Sequence, residues 1–188
     1  MRELIIGSEH DITHDTGSRL SSNSPDGLLF PKLERLEWEV GTSWAPLPFF
    51  SIFLSPRLKR VNLYTDSIHF GIPRDFDYVL LVEDVIPCLP TSLEELSLTC
   101  GPWKGEPLRN VISSLVRRCG PSLRSFSSNT RLSEKAVYHL SRLPSLRSWT
   151  VAGEPPQKFS PATFPALNEL RLKQGAIPWL HLLAACGG

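Results

Sequence analysis

Six leucine-led hexapeptides at irregular intervals, a proline two residues ahead of five of them, and helical periodicity in the gaps predict an α/β fold. The class is a leucine-rich-repeat solenoid, a curved parallel sheet with helices on its convex side.

The hexapeptides are LERLEW (33–38), LKRVNL (58–63), LEELSL (93–98), LRSFSS (123–128), LRSWTV (146–151) and LNELRL (167–172). Of the eighteen residues at positions one, four and six, seventeen are apolar, and Ser128 is the exception. The eighteen residues between them are all polar or charged. Strand side chains switch face at every residue, so positions four and six share one face. The leucine at position one lies just before the strand and turns inward. One such unit cannot bury its apolar side alone, so neighbours stack and share a continuous core.

Successive first leucines lie 25, 35, 30, 23 and 21 residues apart, bracketing the ~20–29 residues of such repeats, with two longer members. The intervals predict return helices at 48–54, 76–89, 106–119 and 133–143. In the third, Leu108, Val111, Ile112, Leu115 and Val116 recur at helical spacing and form one buried stripe. The fourth opens with Ser133 and Glu134, a cap and an acidic first turn. Pro31, Pro56, Pro121, Pro144 and Pro165 stand two residues before their leucines. Proline cannot continue a helix and disfavours helical geometry in the residue before it, so it separates helix from strand.

Residues 1–28 read as a partial first unit, with ELII (3–6) as a strand and the polar run 7–28 as a loop. Residues 29–188 form the repeat domain of about six units. GEPPQKFSPAT (153–163) is a proline-rich connection, and AIPWLHLLAACGG closes the sequence as an apolar helix. Both ends read as cut, because solenoids carry polar terminal caps.

Composition excludes several functions. The chain of 188 residues is 41% apolar and 21% charged, the balance of a globular domain. Its net charge of +1 supplies no long-range field for nucleic acid or an anionic membrane. The cysteines at 88, 100, 119 and 186 show neither metal spacing nor a disulfide framework and read as reduced thiols. No apolar run suits a signal peptide or a membrane span, so the expected location is cytoplasmic or nuclear.

LFPKLERLEW, TSLEELSL, LPSLRSWTV and FPALNELRL resemble the irregular repeats of fungal F-box/leucine-rich-repeat proteins over roughly residues 29–175. In that family an F-box docks the ubiquitin-ligase scaffold while the repeats capture the protein to be ubiquitinated. The resemblance therefore implies a protein partner, and the scaffold as a second one through an F-box that this sequence does not contain. LPFFSIFL (47–54) reads as a return helix rather than an F-box. The family's asparagine or cysteine at position nine is replaced by Gly41, Asp66, Gly101, Arg131, Glu154 and Gly175, so no regular asparagine ladder is expected.

The expected binding surface is the concave strand face. Its residues are Arg35, Glu37 and Glu39; Arg60, Asn62 and Tyr64; Glu95, Ser97 and Thr99; Ser125, Ser127 and Asn129; Ser148, Thr150 and Ala152; and Glu169, Arg171 and Lys173. Charged ends flank small hydroxyl-bearing middle units, an arrangement for close approach with steering at the rims. Tyr64 is the expected anchor.

No reaction chemistry is expected, and no cofactor or metal. His10 and His14 stand four apart beside Asp11 and Asp15 without a third ligand. His69, His139 and His181 are isolated. Neither a G-x-S-x-G elbow nor a phosphate-cradling glycine loop occurs. Arg109, Arg117 and Arg118 form a basic helix face, the last two suited to the helix C-terminal dipole. Trp38 and Trp149 take core positions, while Trp44, Trp103 and Trp179 read as loop or helix-start residues. The rival class is a small α/β enzyme such as a hydrolase, which needs serine, histidine and acid together at the strand C-termini.

Overall fold

The structure, a computed structural model, describes residues 1–7, 14–22, 28–40, 51–65, 89–100, 106–151 and 164–173. It is α/β, with a seven-stranded sheet: β1 (Glu3–Ile6), β2 (Arg35–Val40), β3 (Arg60–Thr65), β4 (Glu95–Cys100), β5 (Ser125–Ser128), β6 (Ser148–Val151) and β7 (Glu169–Leu172). Every neighbouring pair is parallel and the spatial order is the sequence order. Three helices are described: α1 (His14–Ser22), α2 (Glu106–Arg118) and α3 (Glu134–Ser141).

The register aligns the fourth position of every unit. Leu4, Leu36, Val61, Leu96, Phe126, Trp149 and Leu170 are successive partners across the sheet. The five inner members of this row are at most 2% exposed, whereas Leu4 and Leu170, on the outermost strands, are only partly buried. The first leucines Leu33, Leu58, Leu93, Leu123 and Leu146 are also buried, and all join one core cluster. Ile112, Leu115 and Val116 of α2 and Ala136, Val137 and Leu140 of α3 belong to it, so the helices cover the apolar face. The side chains of Leu108 and Val111 lie outside the described residues.

Aromatic pairs lock the first and last units to their neighbours. Trp38 meets Phe53 edge-on at 5.4 Å, Phe53 stacks with Phe30 at 6.2 Å, and Trp149 faces Phe164 at 5.2 Å.

The proline positions have a more specific role than separating helix from strand. In each of six units the leucine amide donates to the carbonyl three residues back: Leu33 to Phe30, Leu58 to Ser55, Leu93 to Pro90, Leu123 to Gly120, Leu146 to Leu143 and Leu167 to Phe164. Each is a four-residue turn, and the five prolines fill its second position, where their fixed φ is already correct. The turns also stack on one another. Buried Ser55 donates to the Pro31 carbonyl at 2.8 Å, and Ser92 to that of Pro56 at 3.3 Å. A Cβ at Gly120 would lie 2.4 Å from the Thr91 carbonyl oxygen, so glycine is what permits that close approach.

A second backbone device repeats at all six strand junctions. One carbonyl, at the residue just before the strand, accepts from two amides of the next unit: Arg2 from Glu34 and Arg35, Glu34 from Lys59 and Arg60, Lys59 from Glu94 and Glu95. The series continues with Glu94, Arg124 and Arg147 as acceptors. The amide and carbonyl of the residue at the entry of each of β2 to β6 are thereby satisfied.

Ser128, the exception in the apolar pattern, is 2% exposed, and its hydroxyl accepts from the Thr130 amide at 3.0 Å. A buried serine is tolerated because it is hydrogen-bonded. Ser133 caps α3 as expected, accepting from the Ala136 amide at 3.3 Å, while its own amide donates to the buried Ser113 hydroxyl of α2. His139 Nε2 lies 2.9 Å from the Cys119 carbonyl and ties the ends of α2 and α3.

Five expectations need correction or bounding. The run 7–28, read as a loop, contains α1: Leu20 packs on the core, Gly17 is buried, and Ser22 bonds back to the Ser18 carbonyl. Docking supplies what local propensity lacks. The 48–54 helix is, within the described residues, a single 3₁₀ turn at 51–53 that delivers Ile52, Phe53 and Leu54 to the core. Of the expected helix at 76–89, residues 76–88 lie outside the described residues and Leu89 is a bend; the C-terminal helix and the connection 153–163 lie outside them as well.

Burial pushes the Cys119 thiol from its ordinary 9.0 up to about 12, and its Sγ approaches the Leu115 carbonyl at 3.7 Å. Because the folded value is the higher one, the protonated thiol contributes its full stability below pH 9.0, and this is lost as pH rises toward about 12. The stability advantage of wild type over Cys119→Ala in denaturant melts therefore shrinks above pH 9.0, and an advantage independent of pH contradicts the buried placement.

Candidate functional site

Strand alternation turns the third, fifth and seventh residues of each unit away from the helices. Against the buried row, the residues between are half-buried or exposed: Arg35, Glu37 and Glu39 on β2, Arg60, Asn62 and Tyr64 on β3, Glu95, Ser97 and Thr99 on β4. Ser125 and Ser127 follow on β5, Ser148 and Thr150 on β6, Glu169 and Arg171 on β7. The ladder places Arg35, Arg60, Glu95, Ser125, Ser148 and Glu169 in one row, and Glu37, Asn62, Ser97, Ser127, Thr150 and Arg171 in the next.

Eight of these side chains line one shallow depression of about 240 Å³: Arg35, Glu37, Arg60, Asn62, Glu95, Ser97, Ser125 and Ser127. The serines of β4 and β5 leave room because they are small, and the charged side chains stand on β2, β3 and, through Glu95, β4. Tyr64 belongs to a second depression of about 210 Å³, shared with Ile5, Glu37, Glu39 and Asn62. Ile5 is 63% exposed and Tyr64 38%, so they form an apolar edge beside the polar floor. Sequence reasoning missed Ile5 because β1 lacks the leucine-led hexapeptide, although the alternation of ELII already points it outward.

The charges are largely paired within the face. Arg35 bridges Glu3 at 2.9 Å and also bonds Glu37, and Arg60 lies 3.4 Å from Glu95. At the other end Ser148 donates to Glu169 at 2.8 Å, and Arg171 Nε donates to the same carboxylate at 2.7 Å. The Ser148 hydroxyl first, then the Arg171 guanidinium, hold Glu169 below the usual carboxylate range. Exposed pairs of this kind contribute little to stability, but they hold side chains in fixed places for recognition. Ser148, Thr150, Glu169 and Arg171 continue the face without lining either depression. Ala152 lies outside the described residues.

Among the described residues no three metal-ligating side chains converge, and no helix is long and apolar enough to cross a membrane. Of the HDITHD segment, His14 and Asp15 open α1, while His10 and Asp11 lie outside the described residues. His69, His181, Trp44, Trp103, Trp179 and all position-nine residues but Arg131 lie outside them too. His139 faces α2 on the covered side of the sheet rather than the strand C-termini. Arg117 and Arg118 are exposed at the end of α2, and Arg109 is half-buried.

Compared with known proteins, the chain matches no family model, no curated protein and no solved structure.

Proposed function

We propose that the protein is a leucine-rich-repeat solenoid that binds another protein across the open face of its sheet. One observation carries this reading: a parallel sheet in strict sequence order buries one face under helices and leaves the other open, polar and ordered. Rigid strands present side chains whose positions are already fixed, so binding costs little ordering. The serine floor admits close approach, the paired charges give orientation, and Ile5 with Tyr64 provides the apolar anchor.

The further proposal, resting on the likeness of LFPKLERLEW, LPSLRSWTV and FPALNELRL to fungal F-box/leucine-rich-repeat proteins, is that the bound protein is a ubiquitination substrate. The chain is then the substrate-recognition part of an SCF-type ligase receptor acting in the cytoplasm or nucleus.

Affinity capture from cell extract tests both levels. Wild type is expected to retain proteins that an equally stable Ser97→Arg/Ser127→Arg double variant loses; identical retained sets contradict the binding face. The ligase scaffold is expected only with a longer gene product carrying an F-box, and its absence there removes the ligase reading while leaving the binding face intact.

A further inference from the structure

A different surface runs along the edge where the strands begin. The residues that form the doubly bonded junctions, one per unit, are Arg2, Glu34, Lys59, Glu94, Arg124 and Arg147. Their signs alternate from Arg2 to Arg124, and three adjacent pairs are close: Arg2–Glu34 at 3.8 Å, Lys59–Glu94 at 3.7 Å and Arg124–Glu94 at 3.6 Å. The alternation then breaks, and Arg147 follows Arg124. Their strands are hydrogen-bonded neighbours, about 4.8 Å apart, so two like charges stand side by side, an arrangement that costs stability.

Helix ends reinforce the break. Arg117 and Arg118 finish α2 just before the turn leading to Arg124, and Arg142 caps α3 just before the turn leading to Arg147. All five guanidinium groups are exposed. The helix dipole accounts for cations at 117, 118 and 142, but Arg124 and Arg147 precede strands and have no such reason. Glu94 is already shared between Lys59 and Arg124, and among the described residues Arg147 makes no ion pair.

We propose that this edge at β5 and β6 is a second docking site, for an acidic segment of a partner polypeptide whose carboxylates complete the interrupted charge ladder. Arginine forks pair bidentately with carboxylates, and the patch spans only two adjacent strands, a length suited to a few residues of extended chain. A polyphosphate backbone fits less well, because Glu94 and Glu34 repel its continuation along the edge. The net charge of +1 also gives no field to recruit it. The proposal goes beyond the polar-face reading and does not depend on it.

Fluorescence anisotropy at physiological ionic strength tests it with the full chain. The probes are a labelled peptide alternating glutamate and serine, its glutamine counterpart, and oligothymidylate; sedimentation with phosphatidylserine-containing vesicles completes the set. The expected result is binding of the glutamate peptide alone, weakened at least about ten-fold in Arg124→Glu/Arg147→Glu and unchanged in Lys32→Glu, in the exposed turn before β2. Both variants alter exposed side chains, and circular dichroism checks that each is folded. Equal binding of the glutamate and glutamine peptides, no binding, or no loss in the double variant overturns the proposal. So does tighter binding of oligothymidylate or vesicles with the same arginine dependence.

Discussion

Leu96→Asp loses roughly 4 kcal/mol or more of folding stability, because an unpaired carboxylate replaces a core side chain. Leu96 is 1% exposed and sits midway along the buried row, between Val61 and Phe126. Neutralising the carboxylate does not rescue it, since the acid still occupies an apolar layer and lacks the volume of leucine. Against a total stability of roughly 5–15 kcal/mol for a domain, this brings the chain close to unfolding. Ser97→Asp, one residue along on the open face, changes stability by less than about 0.5 kcal/mol. The pair forms an internal control: same charge, adjacent positions, opposite faces. Urea melts of both variants read the result, and equal midpoints contradict the face assignment.

Trp149→Ala costs roughly 3–5 kcal/mol, the range for truncating a large buried aromatic. Trp149 is fully buried, pairs across the sheet with Phe126 and Leu170, and faces Phe164 at 5.2 Å. Its loss opens a cavity and removes the main apolar contact of the β7 unit. Trp149→Phe keeps part of the ring contact and falls between wild type and alanine. Denaturant midpoints rank the three, and an alanine variant within about 1 kcal/mol of wild type rules out a central packing role.

The sheet was legible because its signal recurs. A single hexapeptide such as LRSFSS is ambiguous, but six in the same phase require one apolar face, and the ladder joins them in that register. The α2 stripe and the Ser133 cap of α3 were legible for local reasons, spacing and capping chemistry. α1 was not. HDTGSRLSS carries glycine and serines, and Leu20 alone supplies an apolar anchor, so its helical state comes from docking that the local sequence does not encode. The turn role of the prolines was hidden for another reason. Proline two residues before leucine marks a boundary whether or not a hydrogen bond closes the turn, and the Phe30–Leu33 type of closure exists only in the folded chain.

The polar face was legible residue by residue through strand alternation, but its depressions were not. Which of these side chains share a floor depends on lateral register, which brings Ser97 and Ser127 together with Arg60 and Asn62. Ile5 entered the site only through the pairing of β1 with β2. The interrupted charge ladder at Arg124 and Arg147 is likewise a property of neighbouring strands rather than of any one segment.

Inter-strand nuclear Overhauser contacts in solution measure the stack of units most directly. Parallel-strand contacts are expected linking Leu36 to Val61, Val61 to Leu96, Leu96 to Phe126, Phe126 to Trp149 and Trp149 to Leu170, in that order and no other. Antiparallel contacts, or a strand order in which any of these neighbours is separated, contradict the account.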